Sequence, residues 1–128
     1  MPGPIVFISH NRVKPGRLDD LHELSRSVFR QIETEKPGTA AFLAFLSADG
    51  TEVSFIHVFA DADGFARHVD GSDERSTAAY ELIEPLSVQI YGDAGDSLLG
   101  MFRQMAETGV QLTIQPGLLG GFIRLSMG

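Results

Sequence analysis

Two apolar runs, separated by Ala48-Asp49-Gly50-Thr51, constrain this chain more than any other stretch in it. Asp-Gly between such runs is a strong short-range hairpin signal, so residues 39–60 are expected to form two antiparallel strands. Phe42, Leu43, Phe45 and Leu46 put large apolar groups on both faces of the first strand, and Phe55, Ile56, Val58 and Phe59 do so on the second. An antiparallel hairpin can leave one face in water. This one needs cover on both: helices of the same chain on one side, and a second subunit as the candidate for the other.

The rest of the chain supplies the helices. Ile5 to His10 reads as a first strand, again apolar on both faces, and Lys14-Pro15-Gly16 turns the chain after it. Leu18, Leu21, Leu24, Val28 and Ile32 then recur at three- and four-residue steps, one stripe of a helix that Pro37-Gly38 ends. Beyond the hairpin, Asp61-Ala62-Asp63 offers caps for a helix over 64–69, followed by a second over 74–83 with Pro85 at its exit. Residues 86–91 alternate as a strand. The order strand, helix, strand, strand, helix, strand is the ferredoxin-like split βαβ of an α+β domain.

Residues 93–128 form an extension beyond that 1–92 module. Asp96 or Ser97 can cap a helix running to about Thr108, residues 110–114 alternate as a strand, and residues 121–125 form a last short one. About 35 residues cannot build a core alone, so the extension is expected to pack on the same domain.

Composition narrows the function classes. A net charge of −7 argues against a nucleic-acid partner, whose phosphates attract a basic surface. No apolar run approaches the ~18 residues of a membrane span, and Met1-Pro2-Gly3-Pro4 lacks the basic region and cleavage site of a secretory signal, so none is expected. The absence of cysteine excludes thiolate chemistry and fits a cytoplasmic address. Walker, nucleophile-elbow and dinucleotide-binding patterns are missing, and the four histidines show no metal-ligand spacing, so no metal is expected.

Strand alternation groups the candidate site residues. Val6, Ile8, Ile56, Val58, Val88 and Ile90 are aliphatic, as expected beneath helices. The opposite parity gives Phe7, Ser9 and Asn11, then Phe55, His57 and Phe59, then Ser87, Gln89 and Tyr91, aromatic with scattered polar groups as in a small-molecule pocket. His57, mid-strand among aromatics, could act as a base; the alternative is a core or interface histidine bonded to a neighbour. His68 could do the same from its helix, or be a partly exposed helix residue.

These segments resemble the dimeric α+β barrel superfamily, and within it the antibiotic biosynthesis monooxygenase-like group. The resemblance is carried by Val13-Lys14-Pro15-Gly16 opening the first helix, Glu35-Lys36-Pro37-Gly38 closing it, and residues 55–68, FIHVFADADGFARH. In that group a strand ends in an aromatic residue, followed by an acidic turn and a helix bearing a histidine; Phe59 and His68 hold those places here. The resemblance spans roughly residues 4–92. It implies a homodimer closing two sheets into a barrel, with His57 or His68 as catalytic base. The aromatic set with Asn11, Gln89 and Tyr91 would bind an aromatic, polyketide-type substrate. The implied activity is cofactor-independent monooxygenation, with cyclisation or non-catalytic ligand binding as alternatives. The chain has no Trp, which counts against the haem-degrading branch.

Overall fold

The computed structural model describes residues 3–124. In chain order it has β1 (Ile5–Val13), α1 (Leu18–Glu35), β2 (Thr39–Leu46), β3 (Glu52–Phe59), α2 (Ala62–Val69), α3 (Asp73–Tyr80), β4 (Ile83–Tyr91), α4 (Asp96–Ala106) and β5 (Gln111–Gln115). The strands form one sheet in the order β2-β3-β1-β4-β5. All neighbours are antiparallel except β4 and β5, which run parallel across the α4 crossover. No helix among the described residues is long and apolar enough to cross a membrane.

The hairpin turn is built as its sequence demands. Gly50 takes φ 74°, open to glycine at little cost. The Asp49 carboxylate accepts from Thr51 N (3.1 Å), Thr51 Oγ1 (2.7 Å) and Ser47 Oγ (2.8 Å), while Glu52 N donates to Ser47 Oγ at 3.0 Å.

Several boundaries differ from the sequence reading, each for a tertiary reason. β1 runs on to Val13 because Asn11 and Arg12 still find partners in Val53 and Glu52. α3 stops at Tyr80, and Ile83, expected in the helix, opens β4 opposite Val13 at 4% exposure. Pro85 is therefore inside a strand and not at a helix exit. It is tolerated because β4 shifts register there, between the partners of His10 and Asn11, and because β5 covers β4 only from Ser87 onward. Gly95, at φ 89°, precedes α4 in place of an Asp96 or Ser97 side-chain cap. Residues 121–124 form no strand, and Leu125 lies outside the described residues.

Register also fixes which face is which. Phe7 lies opposite His57 on one side and Ile90 on the other, so Phe7, His57, Val88 and Ile90 share a face. Val6 and Ile8 lie opposite Tyr91 and Gln89. The helices cover the first face. This overturns the expected assignment: the aromatic and polar set of β1 and β3 lies under the helices. The aliphatic set of Val6, Ile8, Ile56 and Val58 forms the other, helix-free side.

Beneath the helices the core is in two parts. One gathers Ile5, Phe59, Phe65, Val88, Ile90, Leu98, Leu99 and Phe102 under α2 and α4. The other gathers Val13, Leu21, Val53, Leu82 and Ile83 under α1 and α3. Between them the packing opens into a cavity, which explains why Leu24 and Val28 of the α1 stripe are only half-buried.

α2 is held against β2 by a close backbone approach. A Cβ on Gly64 would stand 2.6 Å from the Gly38 carbonyl oxygen, and one on Gly38 would stand 2.8 Å from the Gly64 Cα. Neither backbone atom can turn aside, so Gly64→Ala must lift α2. It is expected to cost about 2–3 kcal/mol in urea unfolding, by analogy with overpacked cores. A loss under ~0.5 kcal/mol would show that the approach is looser than its geometry.

Candidate active site

The site begins with one row across the sheet. Phe42 of β2 and Phe7 of β1 both lie opposite His57 of β3. The imidazole is sandwiched between the two rings, centroids 4.2 Å from Phe42 and 5.0 Å from Phe7, tilted 23° and 17°. Its Nδ1 lies 3.3 Å from the Phe7 carbonyl oxygen. A carbonyl only accepts, so Nδ1 carries the proton in the neutral ring and Nε2 holds the free lone pair. No hydrogen bond engages Nε2, and no buried polar side-chain atom among the described residues lacks a partner. Nε2 therefore opens on the cavity. Burial, above all, and then the charge of a protonated His68 hold the His57 pKa down at about 3, against a small upward pull from the Phe7 carbonyl.

His68 comes to the same place from α2. Asp61 caps that helix, accepting from Gly64 N at 2.8 Å, and the i, i+3 spacing turns Phe65 and His68 inward together. The His68 ring meets His57 edge to face, centroids 4.9 Å apart and 79° between planes. Its Nδ1 shares a hydrogen bond of 3.0 Å with Thr39 Oγ1, and its main-chain oxygen accepts from Arg75 Nη2 at 2.6 Å. Burial first, then the charges of Arg75 and Lys36, lower its pKa to about 4. Both rings are neutral at pH 7. Among the described residues no third histidine or carboxylate stands beside them to complete a metal site. The pair is suited to proton transfer.

The cavity holds about 240 Å³ between sheet and helices. Phe7, Ser9, Asn11, Phe55, His57 and His68 all line it. Asn11 is fixed at its floor, donating to Ser9 Oγ (3.3 Å) and to the Val53 carbonyl (3.4 Å). Phe59 faces the same way but is sealed beneath, stacked on Phe65 at 4.7 Å and fully buried. Gln89 and Tyr91 do not join the set, because their register with Ile8 and Val6 places them on the helix-free face.

Sequence reasoning also passed over wall residues. Phe42 belongs by its pairing with His57. Arg75 of α3 has a legible signal: it stands one turn before Ala79, and both line the cavity.

The five-stranded sheet and the helices on one of its faces form a ferredoxin-like α+β fold, and the strong structural neighbours of the chain are antibiotic biosynthesis monooxygenase-like proteins. MupZ from Pseudomonas fluorescens superposes with a TM-score of 0.67 at 20% identity, over 97% of this chain and 91% of that one. SnoaB, a cofactor-independent oxygenase from Streptomyces nogalater, gives 0.62 at 17% identity, over 73% of this chain and 95% of its own. A candidate antibiotic biosynthesis monooxygenase from Caulobacter crescentus CB15 gives 0.62 at 14%, over 70% and 88%. The likeness to MupZ thus runs on through α4 and β5. No family model and no curated protein matches the sequence. At these identities the neighbours establish the fold.

Proposed function

We propose that this protein is a small homodimeric enzyme that oxidises an aromatic, polyketide-type metabolite without a cofactor. The observation that carries the reading is the neutral histidine pair in an apolar cavity, with the Nε2 of His57 presented to it and its Nδ1 tied to the Phe7 carbonyl. With its pKa held near 3, His57 is a weak base in the empty cavity, so it takes a proton from an acidic C–H or O–H of a phenol or enol only as the negative charge developing on the substrate stabilises the imidazolium beside it, while the apolar walls keep water from competing. The resulting carbanion adds O2 at carbon. The peroxide takes the proton back, and the O–O bond breaks as a second hydrogen leaves the same carbon. A methylene and O2 become a carbonyl and water. Ser9, whose Oγ accepts from Asn11 and keeps its own O–H to donate, is placed to hold a substrate oxygen at the floor. SnoaB, which shares the fold, is a cofactor-independent oxygenase, in line with this reading. With an internal carbonyl in place of O2, the same proton removal would instead close a ring.

Oxygen uptake with a panel of anthrones and hydroquinones tests this directly. His57→Ala and His68→Ala are each expected to lower kcat/KM by about 10²–10⁴-fold, the usual worth of a general base. Tyr91→Phe, on the other face, should leave turnover unchanged. Isomeric cyclised products formed without oxygen would replace oxidation by cyclisation, and neither turnover nor binding across the panel would leave a ligand-free or non-catalytic dimer.

A further inference from the structure

The cavity wall is uncharged but for one group. No Asp, Glu or Lys lines it, in a chain of net charge −7, while Arg75 of α3 does. Arg75 is half-buried, yet among the described residues no carboxylate stands within ion-pair distance of it; the ion pairs there are Arg12 with Glu84 and Arg17 with Asp20. Among the described residues its one hydrogen bond goes to the His68 main-chain oxygen, and the other donors of the five-donor guanidinium are unengaged there. Ser72, just before that helix, and Ser76 within it also line the cavity and add hydroxyls around it. A half-buried cation facing an acid-free apolar hollow favours an anion supplied from outside, and guanidinium geometry matches a carboxylate in two-point contact.

We infer that the ligand is an apolar acid, a ring body lying among Phe7, Phe42 and Phe55 with a permanent carboxylate held by Arg75, Ser72 and Ser76. The inference rests on the reading of the cavity as a ligand site and adds the charge and orientation of its occupant. The carboxylate end lies at α3, so the rest of the body runs past the histidine pair toward Ser9 and Asn11. Binding also changes the base. Burial is the main cause that holds His57 and His68 unprotonated and the charge of Arg75 adds to it, so an anion beside Arg75 offsets only that smaller part.

The test is calorimetric titration with 2-naphthoate and its neutral isostere 2-naphthamide against wild type, Arg75→Gln and Arg75→Lys. Thermal melts verify that each variant is folded. Naphthoate should bind wild type at least about tenfold more tightly than naphthamide, one charge-assisted contact being worth that much. Arg75→Gln should erase the preference and Arg75→Lys keep part of it. Ser25→Trp, which fills the cavity from α1, should abolish both. Equal or tighter binding of the amide, or a preference that survives Arg75→Gln, overturns the anion assignment and leaves the cavity as a neutral-ligand site. Failure of both probes to bind overturns the assignment together with the ligand-site reading.

Discussion

Lowering the pH from 7 to 5 is expected to remove about 4 kcal/mol of stability, the combined effect of two buried histidines. The folded protein holds His57 at about 3 and His68 at about 4, whereas in the unfolded chain both titrate near 6.5. Below 6.5 the unfolded chain takes up protons that the folded one refuses, and each histidine then costs about 1.4 kcal/mol per pH unit. The contribution is complete above the unfolded value, falls as pH drops from 6.5 to about 4 for His68 and to about 3 for His57, and stops changing below those folded values. Once His68 is protonated its charge opposes protonation of His57, so His57 is the last of the two to titrate in the folded protein. Against a total stability of ~5–15 kcal/mol the loss is large. Urea unfolding at pH 7, 6 and 5 measures it. His57→Gln and His68→Gln should each flatten the slope, and a wild type equally stable at pH 5 and 7 would show that the rings are not held neutral.

The second large effect concerns the helix-free face of the sheet. Val6, Ile8, Ile56 and Val58 are only half-buried there, Leu43 is 49% exposed and Phe45 56% exposed, and no element among the described residues covers them. We propose a second copy of the chain as the cover, packed sheet to sheet, so that like residues come close across a two-fold axis. Ile56→Lys would then lose an isoleucine and introduce an ammonium in each subunit. Burial of one isoleucine is worth about 2 kcal/mol and an uncompensated charge more, so the dimer should weaken by at least ~10³-fold. Ile56 points away from the cavity, so the monomer should keep its fold. Light scattering after gel filtration at about 10 μM should give a dimer for wild type and a monomer for the variant. A monomeric wild type would leave the face without the partner proposed here.

Both expectations show what the sequence could and could not disclose. The hairpin was legible because Asp49-Gly50 and the flanking apolar runs act locally. The same holds for the α1 stripe, the Asp61 cap and the need for cover on both sheet faces. Which face went under the helices was not legible. Parity divides a strand into two sets, but the choice between them is made by what packs above. Here the larger aromatic rings lie under the helices, around a hollow, while the smooth β-branched set remains for the other side. β4 compounded the difficulty, because Val88 and Ile90 look like Val6 and Ile8 and pair with the other set. Gln89 and Tyr91 were misplaced with them. His57 and His68 were visible as single residues, but their contact depends on α2 settling against β2 through Gly38 and Gly64, an approach that only the folded chain makes.

A strand that is apolar on both faces carries a hazard of its own, because hydrophobicity alone scarcely tells one pairing from the next. If β3 slipped by one residue, Ile56 would enter the cavity and His57 would turn to the open side, at little cost in buried apolar surface. The slipped hairpin would be compact and inert. What distinguishes the working alignment is the polar clasp at the far end: Asp49 bound by Ser47 and Thr51, with Ser47 bound in turn by Glu52, counts the residues of the two strands from the tip. From there the count runs without a break to Phe42 opposite His57. The surface loop with no side chain in the cavity thus acts as the index mark that decides which residue arrives there.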